Sequence, residues 1–364
     1  MWGDPGVTEQ LQLQETPVSM PSTAGGAVTR TLQRSGFLKR LRMLSKLTVS
    51  QASGTGAPSK SPYGPLGSYL SRVRIDANGQ IPLVDLSGLG ATVYNEVQNR
   101  DGSPLARPLN IAELNVADSL KLAQYDAPGT AAQTYVVQYP FEYQFAVPVN
   151  IKGQVMELGL WLLQGQAIDV GITFTFNPGY ATAATNDAAY SAGTAVVAVA
   201  DLNNSNVQIE RELYSIPNDP KDFPNLGWAH QIIEFTNSFT GNFSRFSIPR
   251  AGMIMRAIVI NQDGSNNLVE YSDVKNMSWI YGSNETPISR PGWAYTHEYL
   301  HDYNRQPPKG TQVLDFYKWG AEGFKLVKSS EDLANLRIET TFTATASGIQ
   351  RIILDRFIPV LSGR

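Results

Sequence analysis

The sequence predicts an all-β protein made of two consecutive sandwich-sized halves. Three observations carry this reading. In the stretch Tyr135 to Phe176, Phe141, Tyr143, Phe145 and Val147 alternate with Glu142, Gln144 and Ala146, and Val170, Ile172, Phe174 and Phe176 alternate with Gly171, Thr173 and Thr175. Alternation at period two marks a strand with one face buried. Turn dipeptides (Asn78-Gly79, Asp101-Gly102, Asp263-Gly264) punctuate the apolar runs, and Asn-Gly suits a hairpin because both central residues need positive φ. The connections within the stretch are too short for the helices of a doubly wound sheet.

Composition narrows the function. A chain of 364 residues exceeds what one core usually serves, so two units are expected. The charged share is 17 %, below the usual quarter or so, as when neighbours cover much of the surface or the β surface is rich in Thr, Ser, Asn and Gln. Net charge is −3, which argues against nucleic-acid binding by overall charge. With no Cys, disulfides and thiolate metal sites are excluded. No apolar run reaches the roughly 18 residues of a membrane span, and no secretory h-region is visible. Synthesis in the cytoplasm is the expectation.

Residues 1–62 read as a flexible arm rich in Ser, Thr, Gly, Pro and Gln, with one apolar island from Ser35 to Thr48. There Phe37, Leu38, Leu41, Leu44 and Leu47 fall at helical spacing, and Ser35 is placed to cap the start. Arg30, Arg34, Lys39, Arg40, Arg42 and Lys46 have no acidic residue among them. The expectation is a basic amphipathic helix near 35–47 that meets an anionic membrane or nucleic acid through Arg34, Lys39, Arg40, Arg42 and Lys46. The alternative is a helix docked on protein with a solvated basic face. Gly54 to Ser61 (GTGAPSKS) lacks the glycine before Lys60 and a leading strand, so it reads as a tether and not as a P-loop.

From Leu66 the pattern is β-like. Val73 and Ile75 lead through Asn78-Gly79 to Ile81 and Leu83. Gly88-Leu-Gly90 lacks the third glycine of a dinucleotide fingerprint and precedes a segment, Thr92 to Tyr94, that reads as strand. Asn177 to Asn206 reads as a long excursion, and Ala195 to Ala200 (AVVAVA) within it suits burial by a neighbour. Val207, Ile209 and Leu213 form a strand running into Pro217-Asn-Asp-Pro220, where the boundary between the halves is placed. A second β set follows at 231–235, 243–248, 253–260, 269–281, 311–319 and 336–346.

One motif carries potential chemistry. His297-Glu298-Tyr299-Leu300-His301 matches H-E-x-x-H, which on a helix places two histidines on one face for Zn²⁺ with the glutamate as general base. No third histidine follows at metzincin spacing, and nothing around Glu322 reads as a second ligand-bearing helix. The expectation is a short connecting helix, with a zinc hydrolase as the competing reading. His230, near Trp228, reads as a packed or surface histidine, and no Ser/His/Asp arrangement is identifiable.

The chain resembles the double jelly-roll major capsid proteins of tailless icosahedral double-stranded DNA viruses, in particular the tectivirus-like bacteriophages with an internal membrane. Tyr139 to Phe176 is similar to the later strands of a first jelly roll, and Val207 to Pro217 to the strand that closes it. Pro291-Gly-Trp-Ala, Pro308-Lys-Gly310 and Val313 to Trp319 resemble a helix-bearing connection in the second roll. The resemblance implies two eight-stranded jelly rolls (63–217 and 218–364, the latter with a C-terminal tail) behind the arm at 1–62. It implies a homotrimer with pseudo-hexameric outline, tiling a virion shell with neighbouring capsomers and minor or penton proteins. The arm would lie inside, toward an internal membrane or a neighbouring capsomer. No catalytic residue, cofactor or metal is implied, nor sequence-specific nucleic-acid binding. Competing readings are a minor capsid or spike-base protein and a carbohydrate-binding sandwich. The latter expects clustered aromatics, whereas Trp161, Trp228, Trp279, Trp293 and Trp319 are spread along the chain.

Overall fold

The computed structural model describes residues 10–19, 25–51, 59–60, 70–77, 79–98, 133–151, 154–163, 169–177, 190–191, 197–199, 206–216, 226–249, 252–281, 285–303, 307–316, 327–328 and 336–360. The first part of the chain forms β1 (Gln10–Gln14), β2 (Val18–Ser19), β3 (Ala27–Thr31), β4 (Phe37–Gln51), β5 (Ser59–Lys60), β6 (Leu70–Ala77), β7 (Ile81–Leu86) and helix α1 (Gly88–Gln98). It continues with β8 (Gln133–Gln144), β9 (Val147–Ile151), β10 (Gln154–Leu158), β11 (Trp161–Leu162), β12 (Val170–Phe176), β13 (Tyr190–Ser191), β14 (Val197–Val199) and β15 (Asn206–Tyr214). The second part forms β16 (Trp228–Thr240), β17 (Phe243–Ser247), β18 (Met253–Asp263), β19 (Val274–Tyr281), β20 (Glu285–Arg290) and helix α2 (Gly292–Tyr303). It closes with β21 (Thr311–Asp315), β22 (Val327–Lys328), β23 (Arg337–Phe342) and β24 (Ser347–Pro359).

Three main sheets result. One runs β1-β15-β4-β11, with β2 on β15 and with β8 and β14 also on β4. A nine-stranded sheet runs β21-β18-β24-β16-β7-β6-β12-β3, with β22 on β18, and a four-stranded sheet runs β17-β23-β19-β20. The strands in Tyr135 to Phe176 exist, but only β9 and β10 pair with each other. β8 and β11 join β4, while β12 joins β6 and β3 in the nine-stranded sheet. Successive strands therefore cross between sheets, and their side chains meet in one core: Leu41 and Met43 with Phe141, Tyr143, Ile172, Phe174, Val207 and Ile209.

The part of the nine-stranded sheet formed by β16, β24 and β18 is the wall between two cores. On β24, Ile353 faces the first core, while Ile352 and Leu354 face the second. On β18, Ile258 and Ile260 face the first, while Ala257 and Val259 face the second. The second core closes against Val274, Met277 and Trp279 of β19 and Ile338 and Phe342 of β23. A strand buried on both faces reads as a continuous apolar run, and burying each such Ile contributes about 1.5–3 kcal/mol. This is why Ser347–Pro359, expected as part of a C-terminal tail, is a central strand paired to both β16 and β18.

Two segments differ in type from the sequence reading. The expected helix near 35–47 is the strand β4. Leu41, Met43 and Ser45 point inward and Arg40, Arg42, Leu44 and Lys46 point to the other side, so period two competes with the helical template in the same residues. Pairing along β8 and β15 decides between them. The segment read as an arm thus contributes β1, β2 and β4 to one sheet and β3 to the other. Conversely, Thr92 to Tyr94 lie in α1. Ser87 Oγ accepts from Gly90 N at 3.0 Å, and Glu234 accepts from Ser87 N at 2.7 Å, which satisfies the helix start. Most of α1 is buried, so no polar face shows its period in the sequence.

Gly79 takes φ 65° in the β6–β7 hairpin, as the Asn-Gly turn requires. Ser59-Lys60 of the tether pair with Tyr190-Ser191, and Val197–Val199 of the AVVAVA run pair with Val49 to Gln51 of β4. Asp101-Gly102, Gly54 to Pro58 and Glu322 lie outside the described residues.

Candidate functional site

The HEYLH segment lies on α2, as its spacing predicts. Tyr295 and Tyr299 anchor the helix, 1 % and 3 % exposed, and Tyr295 Oη donates to Met277 O at 2.9 Å. Burial pushes the Tyr295 phenol above its ordinary range. Gly292 is required at the helix start, because a Cβ there would lie 2.4 Å from Tyr271 O. His297 and His301 face solvent together with Trp293 and Leu300. Glu298 is held by Arg290, Nη1 to Oε2 at 2.6 Å. Among the described residues no group of three His, Cys, Asp or Glu side chains is placed to enclose a metal ion.

The basic residues expected to form one cationic face are distributed among carboxylates. Arg34 meets Asp169 at 2.7 Å, and this hydrogen bond holds the Asp169 carboxyl below its ordinary value. Lys39 meets Glu212 at 3.0 Å and lies 4.9 Å from the Tyr214 ring centre. Burial pulls the Lys39 ammonium down, but Tyr214 and Glu212 outweigh it and hold it above its ordinary value. Arg40 contacts Glu142 at 3.0 Å and also Glu212, and Arg42 contacts Glu142 at 3.3 Å. Lys46 is half-buried on the same face of β4. A bulge arranges this: Arg40 opposes Glu212 while Leu38 opposes Leu213, leaving Lys39 as the extra residue. The Lys39 carbonyl then accepts from Phe145 N and Ala146 N at 2.8 and 3.0 Å.

A second polar cluster, which the sequence does not reveal, sits where the two parts of the chain meet. His230 of β16 is 2 % exposed. Its Nδ1 donates to Gln144 O of β8 at 2.6 Å, and its Nε2 lies 2.5 Å from Asp355 Oδ1 of β24. Tyr94 of α1 donates to Asp355 Oδ2 at 3.4 Å, and burial pushes its phenol far up. Arg256 of β18 lies 3.1 Å from Asp315 and 3.8 Å from Asp355. The parallel pairing of β16 with β7, Ile232 opposite Val84, makes the same junction in the backbone. The His230–Gln144 bond fastens β16 to β8 of the other sheet, and the remaining contacts tie α1, β16 and β18 to β24 and β18 to β21.

An open groove of about 600 Å³ lies over Thr29, Thr31, Asp76, Gln80, Asp169 and Thr173. Its carboxylates are engaged, Asp76 with Arg74 at 2.7 Å and Asp169 with Arg34. No helix of the described residues is long and apolar enough to cross a membrane.

No protein-family model matches the chain, and no curated protein matches it. Solved structures do. The STIV MCP superposes with a TM-score of 0.70 at 12 % identity, over 98 % of this chain and 100 % of that one. A chain in the atomic structure of Sulfolobus Turreted Icosahedral Virus gives 0.68 at 12 % identity, over 96 % and 91 %. The major capsid protein P2 from bacteriophage PM2 gives 0.53 at 11 % identity, over 98 % and 100 %. At such low identity the likeness is one of fold, and the two sandwiches joined by a shared wall are the double jelly roll that these viral proteins also adopt.

Proposed function

We propose that this chain is a major capsid protein, a structural subunit of an icosahedral virion and not an enzyme. The observation that carries this is the end-to-end match to the STIV MCP, 98 % of this chain on 100 % of that one. A shell subunit works by presenting two similar blocks to its neighbours. Three copies of a chain with two jelly rolls give a pseudo-hexameric outline, and closed symmetry covers edge strands that would otherwise pair at random. Among the described strands, β3 ends the nine-stranded sheet and β20 ends the four-stranded one, so each is an edge for a neighbour to cover. An obligate interface of this kind buries about 2,000 Å² or more.

The proposed partners are two further copies, neighbouring capsomers and minor or penton proteins, in a tailless double-stranded DNA phage. The internal membrane expected from the sequence loses its argument at β4. Arg40 and Arg42 alternate in space with Glu142 and Glu212, and a mixed-charge face suits a protein neighbour better than anionic lipid. Light scattering on purified protein tests the assembly. A species of three chain masses, each 39.8 kDa, supports the trimer. A stable monomer at high concentration overturns it. Electron microscopy of purified virions, with this chain as the most abundant protein, separates a major from a minor capsid role.

A further inference from the structure

We propose that His297 and His301 form a two-ligand site for a divalent transition-metal ion on the exposed face of α2. The argument begins with spacing. Residues four apart on a helix place their Cβ atoms about 5–6 Å from each other on one face, close enough for two imidazoles to share one ion. Both histidines are exposed, and the His301 side chain is 80 % exposed. No side-chain rearrangement of the core is needed to reach them.

The second observation is the partner of His301. Its Nδ1 lies 3.1 Å from Asp302 Oδ1. A carboxylate accepts, so Nδ1 carries the proton and the Nε2 lone pair is directed away from Asp302. This is the arrangement that orients metal-binding imidazoles and raises their basicity. The helix beneath is held by Tyr295 and Tyr299, so the pair is presented on a rigid support.

Donor chemistry sets the class of ion. Imidazole suits Zn²⁺, Ni²⁺ and Cu²⁺, with Cu²⁺ bound most tightly in the divalent series. Two protein ligands leave the remaining coordination positions to water or to a donor from a second molecule. Glu298, which the H-E-x-x-H reading would use as general base, is tied to Arg290 at 2.6 Å. The site therefore binds an ion without the parts for hydrolysis.

Trp293, one turn before His297 and 60 % exposed, is an optical reporter. The experiment titrates CuCl₂ into the tag-free full chain, following tryptophan fluorescence and calorimetric heat, and repeats the titration with ZnCl₂. The expected result is saturable binding of one ion per chain with quenching that is absent in Trp293→Phe. Binding is lost in His297→Ala/His301→Ala and weakened about tenfold in Asp302→Asn. Circular dichroism melts establish that each variant is folded. Unchanged stoichiometric binding in the double-histidine variant overturns the proposal, as does a wild-type chain that takes up neither ion.

Discussion

Arg211 and Glu15 meet in an ion pair sealed from water. Arg211 Nε lies 2.5 Å from Glu15 Oε1, and the two side chains are 1 % and 0 % exposed. Arg211 Nη1 also donates to Gln33 O at 2.8 Å and to Ser35 Oγ at 3.1 Å, and Glu15 N donates to Ile209 O at 2.8 Å. Burial lowers the guanidinium pKa, and the Glu15 charge opposes that loss. The pair fastens the segment between β1 and β4 onto β15.

Removing one partner of such a pair strands a charge in the core. Glu15→Ala is expected to cost about 3–5 kcal/mol in urea unfolding. Replacing both residues with apolar side chains of similar volume should recover most of that loss. A cost below about 1 kcal/mol for Glu15→Ala would mean that the pair is solvated.

The β4 face makes a different prediction. Arg40→Glu/Arg42→Glu places carboxylates against Glu142 and Glu212, where Arg40 and Arg42 now contact them. The subunit itself should melt at lower temperature, before any question of assembly. Adding Glu142→Arg and Glu212→Arg should restore part of the loss. A double reversal that melts like wild type would show that these contacts contribute nothing to the fold.

Asp273 links stability to acid. It accepts from Thr343 N at 3.1 Å, Thr345 N at 3.0 Å, Ala344 N and the Thr345 hydroxyl. Partial burial pushes the carboxyl up, but these hydrogen bonds outweigh it and hold it below its ordinary value. A depressed carboxylate stabilises the fold above its unfolded pKa, about 3.9, and that contribution is lost as pH falls through the lower folded value. Asp273→Asn should therefore be less stable than wild type at pH 6, with the gap closing in acid. A gap that stays constant down to pH 2 would mean that the carboxylate charge plays no part.

The histidine helix and the basic strand show how far the residues alone could be read. His297 and His301 could be placed on one helical face from their spacing, because local geometry decides it. Their exposure, and the capture of Glu298 by Arg290, could not. Arg34, Lys39, Arg40, Arg42 and Lys46 were visible as a cationic run with no acid nearby in sequence. Their acids lie a hundred or more residues away: Glu142 and Glu212 arrive through pairing of β8 and β15 with β4, and Asp169 through β12, which pairs with β3.

By itself, the sequence determined the β character of the chain, the alternating strands around Phe141 and Ile172, the Asn78-Gly79 hairpin and the helix at His297. These follow from side-chain period and turn chemistry, which act over a few residues. The tertiary structure alone decided that Phe37–Gln51 is a strand, that Gly88–Gln98 is a helix and that Ser347–Pro359 is a central strand of the wall between two cores. In each case the local pattern was ambiguous or erased by burial on both sides, and long-range strand pairing and packing supplied the free energy that settled it.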